Sequence, residues 1–226
     1  PLKLMDAEGN VIQEVEYTEG GLDGPTVAYD DEGRRLQECN FKGGNLDGEG
    51  LFYNEGRLIA KMNYKDGLPH GPANTFDEHE NLILETNYRY GKLSGQARFY
   101  DKAGQMLRSM HYMEGVLHGE MTDFHGTGAK MKVVPYVLGK QHGKVREFYE
   151  SGELQREQVY ANDLLEGEAI GYYEDGTMMD KAVYREGRRK GEHLRYDTNG
   201  DQIETEKPEE EDPEGGIMQK LKKLVT

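Results

Sequence analysis

The sequence repeats itself every 24 residues, and this period constrains the fold more than any other feature. An aromatic residue opens each unit, with spacings of 24, 23, 24, 24, 24, 24 and 24 residues between Tyr17, Phe41, Tyr64, Tyr88, Tyr112, Tyr136, Tyr160 and Tyr184. Counted from this residue, seven of the eight units have glycine at plus three, all eight have glycine at plus seven, and all eight have a second aromatic at plus twelve. Such a period is typical of a repeat array, in which each unit packs on its neighbours.

The spacing of residues within a unit predicts a β-hairpin. The segments 95–100 and 106–112 are each about the length of a strand. A turn that closes on Gly104 lies between them, and the next connection carries paired glycines such as Gly91 and Gly95. Because connections this short force antiparallel pairing, we predict an all-β fold. It is an elongated single antiparallel β-meander of about eight 24-residue hairpin repeats, with a short C-terminal α-helix.

Two units depart from the glycine pattern at their turns. Asp163 stands where the other seven units have the plus-three glycine, and Glu80 replaces the turn glycine of the third unit. Glycine at fixed turn positions indicates positive φ or a close approach of the backbone. We therefore expect the turn at Glu80 to be irregular.

The tail differs from the array, so we divide the chain into a repeat array (1–203), an acidic linker (204–214) and a C-terminal amphipathic helix (215–226). The segment 201–214 carries eight acids and one base, which predicts a solvated linker. The apolar residues that follow have the spacing of one helical face; they are Ile217, Met218, Leu221, Leu224 and Val225. Two roles stay open for this helix: a cap on the last sheet edge, or a helix that binds a partner or a membrane surface, with Leu221 and Leu224 as its candidate partner contacts.

The net charge of −15 indicates the chemistry of a partner. The sequence lacks the basic stripe that nucleic acids and anionic membranes usually require. An acidic surface instead favours a basic protein partner, because it raises the rate of association. Cys39 is the single cysteine, so an internal disulfide is excluded.

The candidate chemical groups fit the repeat better than they fit a catalytic or metal site. His70, His118 and His142 share one position, but residues at the same position in adjacent units are about 9–10 Å apart, too far to share one ion. Pairs of acids recur at turn tips, where similar environments do not separate their pKa values. We therefore predict a protein that is not an enzyme and that has no cofactor or metal.

Five aromatic residues fall outside the repeat pattern and are the sequence candidates for partner binding. They are Phe52, Phe99, Tyr90, Tyr149 and Tyr173. All except Tyr90 lie one residue from the plus-twelve aromatic, so alternation along a strand places them on the opposite face.

Tyr149 and Tyr173 occupy the same position in adjacent units. We hypothesise that they form a partner-contacting patch with Glu150 and Glu174, since tyrosines are common anchors in interfaces. Ordinary filling of the second face of the sheet is the alternative interpretation.

The pattern Tyr112-x-x-Gly115-x-Leu117-His118-Gly119-x-x-x-x-Phe124-x-x-x-Gly128, copied across residues 1–203, resembles the MORN repeat in its bacterial variant. The resemblance implies repeated β-hairpins in one elongated sheet, with a binding or scaffolding role. Many bacterial members look like antitoxin or immunity proteins that neutralise a toxin or secreted effector, here by occlusion. A structural scaffold or membrane-associated organiser is the alternative, although the acidic charge disfavours a membrane surface.

The compartment stays open between the bacterial periplasm, with a leader removed, and the cytoplasm. Gly9 and Val11 match the second half of a unit that ends at Tyr17. We therefore expect the natural protein to extend upstream of Pro1.

Overall fold

The structure is a computed structural model that describes residues 1–18 and 21–207. These residues form 24 β-strands and no helix. Twenty-two of the strands belong to one sheet, and every pairing is antiparallel; the other two form a small ribbon. The predicted all-β meander is confirmed. The predicted helix at 215–226, with Leu221 and Leu224, lies outside the described residues, as does 208–214 of the acidic linker.

Eighteen of the strands have four residues or more and lie side by side. They are β1 (Leu2–Met5), β2 (Val11–Val15), β5 (Gly24–Tyr29), β6 (Arg35–Lys42), β7 (Asn45–Asn54), β8 (Arg57–Lys65), β10 (Gly71–Phe76), β11 (Leu82–Arg89), β13 (Gly95–Tyr100), β14 (Met106–Met113), β16 (Gly119–Phe124), β17 (Lys130–Val137), β19 (Gly143–Phe148), β20 (Leu154–Ala161), β21 (Leu164–Tyr172), β22 (Met178–Arg185), β23 (Arg188–Tyr196) and β24 (Gln202–Glu206). At about 4.8 Å per strand they extend about 80 Å along the sheet. Six two-residue strands flank the turns: β3 (Tyr17–Thr18), β4 (Gly21–Leu22), β9 (Leu68–Pro69), β12 (Lys92–Leu93), β15 (Val116–Leu117) and β18 (Lys140–Gln141).

The sheet continues beyond the predicted boundary at 203, because β24 ends at Glu206. Glu204 pairs with Arg195 at 3.0 Å, and Glu206 pairs with Arg189 at 3.3 Å. These bases lie on the neighbouring strand β23. The acidic composition alone predicted a linker here, but the bases opposite allow the acids to join the sheet.

From 43–44 onward, a tight turn with two consecutive residues at positive φ joins each unit to the next. Tyr90 and Gly91, for example, have φ of 47° and 81°, as a two-residue type I′ hairpin requires. The amide of Gly91 also donates a hydrogen bond to the carbonyl of Pro69 in the preceding unit, at 2.8 Å. Equivalent bonds join most neighbouring turns, so this edge of the sheet is tied together by backbone groups. We call it the glycine-turn edge; its described residues are 18, 21–23, 42–47, 65–70, 89–94, 113–118, 137–142, 161–166 and 185–190.

The opposite edge is formed by four-residue turns that most units begin with aspartate. The Asp101 carboxylate accepts hydrogen bonds from the amides of Ala103 and Gln105, both at 2.8 Å. In the third unit, hydrogen bonds from the side chain and backbone of Asn81 lower the pKa of Asp77. We call this the aspartate-turn edge; it comprises 6–10, 30–34, 54–57, 77–81, 101–105, 125–129, 149–153, 173–177 and 197–201.

A β-bulge accompanies every aspartate turn. In one unit Phe99 lies opposite Arg108 but Tyr100 lies opposite Met106, so Leu107 is the extra residue. Bulges increase local twist and interrupt the alternation of side chains. Alternation along β13 places Phe99 on the face of the first aromatics and the plus-twelve aromatic Tyr100 on the other face, where its hydroxyl donates to Glu85 at 2.6 Å.

The core is a row of small residues on the face that carries the first aromatic of each unit. Its buried members are Val15, Thr26, Cys39, Ala73, Ala97, Val134, Val145, Ala169 and Ala182. Aromatic rings lie beside this row and, with Cys39, crowd the α-carbon of Gly50. A Cβ there would meet the Tyr64 ring at 3.0 Å and the Cys39 sulfur at 3.2 Å. Burial raises the pKa of the Cys39 thiol, which favours its interpretation as a packed residue.

Candidate protein-binding surfaces

Tyr149 and Tyr173 lie in turns of the aspartate-turn edge and not on a strand. Each occupies the position at which other units have the turn aspartate. The hydroxyl of Tyr149 donates to the carbonyl of Tyr172 at 2.8 Å, and that of Tyr173 donates to the carbonyl of Tyr196 at 2.9 Å. Each half-buried ring thus bridges its own turn to the next unit. The alternation argument does not apply to them, because their strands end at Phe148 and Tyr172.

His125 occupies the same turn position one unit earlier and makes the same kind of bridge. Its Nε2 lies 3.0 Å from the carbonyl oxygen of Phe148. The spacing of the histidines gives no signal for this residue; its signal is the turn position that it shares with Tyr149 and Tyr173. Glu150 and Glu174 follow the two tyrosines and are exposed, so the structure brings the four residues of the hypothesised patch onto one edge.

Phe52 and Phe99 lie on the face of the small-residue core, with the first aromatics. The Phe52 ring is 6.5 Å from that of Tyr64, at an interplanar angle of 59°. Four strand steps, about 19 Å, separate Phe52 from Phe99. They belong to one row of directly opposed residues that crosses the sheet, and neither lies near Tyr149 or Tyr173.

The character of that row changes along the sheet. Up to Phe99 it is uncharged: Leu4, Gln13, Ala28, Gln37, Phe52, Ala60, Thr75, Leu84 and Phe99. Beyond Phe99 its charges alternate in sign: Arg108, Asp123, Lys132, Glu147, Arg156, Gly171, Asp180, Arg195 and Glu204. Arg108 is ion-paired with Asp123, and Lys132 with Glu147 at 2.8 Å. Cross-strand pairing satisfies these charges within the sheet.

Tyr90 lies at the glycine-turn edge and is 53% exposed, the most exposed of the five aromatic candidates. Its ring packs edge-on against His70 with centroids 4.7 Å apart. The His70 Nδ1 accepts a hydrogen bond from the Tyr90 amide at 3.4 Å. The His118 Nδ1 accepts one from the Leu138 amide at 3.3 Å. These two histidines therefore contact the next turn of the array. Within 1–18 and 21–207, no group of three or more histidine, cysteine, aspartate or glutamate side chains is placed to hold a metal ion.

Both departures from the glycine pattern occupy the backbone conformation of the glycine that they replace. Glu80 has φ of 64° and Asp163 has φ of 70°. The Glu80 carboxylate accepts a hydrogen bond from the Leu58 amide at 3.1 Å. The Asp163 carboxylate accepts one from the Gln141 amide at 2.8 Å. The expectation of an irregular turn at Glu80 is wrong, because its amide bonds Asp77 as the glycine of other turns does.

Each unit thus combines a glycine turn at positive φ, an aspartate turn with a bulge, and aromatics at fixed positions. The family model described as the MORN repeat variant matches residues 141–162 and 165–186. The chain contains MORN repeats of this variant. The two matched segments begin at Gln141 and Leu165, just after adjacent glycine turns. The other MORN units have the same hairpin, although the family model matches only these two.

Solved structures that match the MORN array are distant from it. The GtfA/B complex bound to UDP and GlcNAc has a TM-score of 0.23 at 13% identity, over 47% of this chain and 21% of that chain. S. aureus TarM has a TM-score of 0.25 at 15% identity, over 57% of this chain and 20% of that chain. A porin-like protein from Bacteroides uniformis has a TM-score of 0.20 at 11% identity, over 80% of this chain and 87% of that chain. This chain spans about a fifth of the length of the first two. No curated protein matches the chain.

The two long edges of the MORN array differ strongly in charge. The aspartate-turn edge has sixteen acids and three bases; the acids are Asp6, Glu8, Asp30, Asp31, Glu32, Glu55, Asp77, Glu78, Glu80, Asp101, Glu150, Glu153, Glu174, Asp175, Asp197 and Asp201. The described residues of the glycine-turn edge have nine bases and seven acids. Most of the net negative charge of the chain therefore lies along one edge.

The glycine-turn edge is instead apolar in its middle. Leu68, Tyr90, Met113, Val116, Val137, Leu138 and Leu164 are exposed there, with Leu138 at 67% the most exposed. Val116 lies beside the following turn, where a Cβ added at Gly139 would be 3.4 Å from its Cγ1. In the part of the chain that the structure describes, no helix is long and apolar enough to span a membrane.

Proposed function

We propose that this MORN array is a non-catalytic module that binds a basic protein through its aspartate-turn edge. We further propose that the partner is a toxin or secreted effector, which the array neutralises by occluding its surface. The observation that carries the proposal is the concentration of sixteen acids against three bases along this edge. The step from protein binding to neutralisation rests on the resemblance to bacterial MORN-repeat proteins.

The acids of this edge form two groups: some accept hydrogen bonds within their own turns, and others are exposed at the turn tips. Asp30 and Asp77 accept hydrogen bonds within their own turns, so their carboxylates hold the backbone. Asp31, Glu78 and Glu150 are exposed at turn tips. Turns in adjacent units are about 9.6 Å apart, a spacing that offers a basic partner a row of separate carboxylates. Complementary charge of this kind raises the rate of association and suppresses wrong partners.

Tyr149 and Tyr173 hold neighbouring turns together in the C-terminal part of this edge. Because each hydroxyl is hydrogen-bonded to the next unit, the rings present fixed aromatic surface beside Glu150 and Glu174. Held aromatic rings lose little side-chain entropy when a partner binds. We therefore expect these rings to contact the partner with their sides and edges, not with their hydroxyls.

Substituting the tyrosines separates ring contact from hydroxyl contact. In Tyr149→Phe with Tyr173→Phe the rings remain, so partner affinity falls less than about threefold. In Tyr149→Ala with Tyr173→Ala the rings are lost, and we expect a fall of tenfold or more, as for an aromatic hot spot of about 1.4 kcal/mol or more. Equal affinity of the alanine variant and the wild type would remove these rings from the interface.

The partner can be found by affinity capture from the source of this protein. The edge variant replaces five exposed acids by amides: Glu8→Gln, Asp31→Asn, Glu78→Gln, Glu150→Gln and Glu174→Gln. The matched control makes the same charge change away from this edge: Glu49→Gln, Glu114→Gln, Glu120→Gln, Glu168→Gln and Glu192→Gln. We expect a basic protein to be captured by the wild type and the control and lost from the edge variant.

Neutralisation is tested by expressing the captured protein alone and together with the array. Expression of the partner alone should inhibit growth, and co-expression of the wild-type array should restore it while the edge variant should not. A captured protein that is harmless by itself would leave binding intact and reject the neutralising role.

A further inference from the structure

The bulge beside each aspartate turn adds one residue to a strand, and in eight of the nine turns this residue is apolar. We call these eight residues the bulge row; they are Ile12, Leu36, Ile59, Ile83, Leu107, Met131, Met179 and Ile203, and Gln155 occupies the position in the remaining turn. Six of them are exposed, all except Ile83 and Met179. Single exposed apolar residues are ordinary, but a continuous row of them marks an interaction surface.

The bulge row lies on the face of the small-residue core. A Cβ added at Gly171 would be 3.1 Å from the Met179 Cε and would also meet the Asp180 carboxylate, so these side chains share one face. Gly171 follows the buried core residue Ala169 by two positions on β21, and alternation places both on the core face. The pairing around the bulge is the same in the other units, so the other members of the row lie on this face as well.

Within the residues that the structure describes, the core face of β1–β13 carries no charged side chain between the two edges. The row of directly opposed residues that crosses it, from Leu4 to Phe99, is uncharged, and alternation places acids such as Glu85 on the other face. Leu36 and Ile59 stand exposed beside this row. Beyond Phe99 the row consists mainly of ion-paired charges. We call the core face of β1–β13 the uncharged face.

The uncharged face has the size that a stable dimer needs. Eight pairings join its nine long strands. It is therefore about 38 Å long, and six residues along a strand make it about 20 Å wide. Two such faces together bury about 1,500 Å², the area of a standard protein–protein interface. Covering the face strands no charge away from water, so this burial avoids the main cost of a polar interface.

A second copy of the chain matches this face in period as well as in chemistry. Residues of the bulge row recur about every 9.6 Å, which is two strand steps. They recur at the same interval in a second copy, so the apolar side chains of one copy can lie between those of the other in every unit. Two sheets pack face to face about 10 Å apart with their side chains interdigitated. A partner with a different interval would fall out of step within a few units.

The charged part of the core face sets the direction of the two copies. With the units of both copies in the same order, Lys132, Glu147 and the other charges beyond Phe99 would be covered and would lose water, which is unfavourable. With the order reversed, only the uncharged faces overlap. The charged parts then lie at opposite ends of the assembly and stay open to solvent.

We infer that the chain forms a two-fold dimer in which the uncharged faces of two copies pack together with the order of their units reversed. Each copy supplies the same surface, as in an isologous interface. The two-fold axis passes near β7, the fifth of the nine long strands. This interface lies on a face of the sheet and not on the aspartate-turn edge, so it does not depend on the proposed function.

Sedimentation equilibrium of the full chain tests the inference. We expect the wild type to be a dimer at about 10 μM. Leu36→Asp with Ile59→Asp would bury two unpaired carboxylates and should weaken dimerisation by roughly a hundredfold or more. Met131→Asp with Ile203→Asp makes the same change at the same bulge position in the charged part, and should stay within about threefold of the wild type. A monomeric wild type, or equal weakening of both variants, would overturn the inference.

The salt dependence of the wild-type dimer gives a readout that needs no variant. An uncharged interface should be as strong or stronger at about 0.5 M salt as at about 0.05 M, because salt screens the repulsion between two acidic chains. A dimer that salt weakens by about tenfold would be held by its charged edges, and would overturn the inference.

A distance between two spin labels tests the direction of the copies. Met131→Cys provides one exposed thiol per chain, since Cys39 is buried. Seven strand steps separate β7 from β17, where residue 131 lies. Reversed order therefore places the two labels about 65 Å apart. Labels within about 25 Å of each other would mean that the units run in the same order, and would overturn the inference.

Discussion

At the scale of single residues, the positions that break the repeat preserve its backbone. Asp163 and Glu80 stand where other units have glycine, and both keep the positive φ of that glycine. Each carboxylate reaches back 22 residues to a backbone amide of the preceding unit. The sequence identified both departures because glycine recurs so regularly. It could not predict the hydrogen bonds, which depend on two units lying side by side.

Two substitutions of Asp163 should lower the free energy of unfolding by different amounts. Asp163→Ala loses the bond to the Gln141 amide and places a Cβ without a polar group at φ of 70°, so we expect a loss of about 1–3 kcal/mol in the free energy of unfolding. Asp163→Gly loses the same bond but relieves the backbone, and should cost about 1 kcal/mol less than alanine. Urea unfolding of both variants measures this order. Greater stability of the alanine variant would contradict the account.

At the scale of the turn, carboxylates stabilise the aspartate-turn edge through hydrogen bonds. The Asn81 side chain and backbone lower the pKa of Asp77 in the third unit, and Asn54 occupies the same position in the second. A lowered pKa in the folded state means that ionised Asp77 stabilises the fold above the ordinary pKa near 3.8. This stabilisation is lost as the pH falls through the lower, folded-state value.

The variant Asp77→Asn tests the direction of this effect. Its amide oxygen can still accept a hydrogen bond but does not ionise. We expect the wild type to unfold at a higher urea concentration than the variant near neutral pH, and the difference to shrink as the pH falls below about 4. A difference that stays constant down to the acid limit would show that Asp77 does not act through its charge.

The tyrosine bridges belong to the same scale. Tyr149→Phe removes the hydroxyl bond to Tyr172 and should lower the free energy of unfolding by about 0.5–1.5 kcal/mol. Tyr90→Phe, at an exposed ring on the other edge, is the control and should leave stability within about 0.5 kcal/mol. If the two variants were equally stable in thermal unfolding, the hydrogen bond from Tyr149 to Tyr172 would not stabilise the contact between units.

The hairpins themselves were predictable from the sequence, but the bulges between their strands were not. Spacing of aromatics and glycines gives strand length and connection length, and these force antiparallel neighbours. One extra residue at Leu107 and its equivalents leaves the 24-residue period unchanged. Simple alternation placed Tyr149 and Tyr173 on a strand face, but their strands end at Phe148 and Tyr172, so both residues lie in turns.

At the scale of the whole molecule, the sheet separates its charge between two long edges. Net charge alone indicated an acidic protein, but it did not indicate where the acids lie. The fold assigns sixteen of them to one edge and leaves the other edge basic at one end and apolar in its middle. This arrangement follows from the repeat, because each turn type returns to the same edge in every unit.

The central claim is that the aspartate-turn edge binds a basic protein by charge. Isothermal titration of the captured partner against the wild type, the five-acid edge variant and the matched five-acid control tests it most directly. We expect the edge variant to bind at least tenfold more weakly, about 1.4 kcal/mol or more, with a smaller dependence on salt. The control should bind within about threefold of the wild type. Equal weakening of both variants would show that net charge alone acts, and would contradict the account.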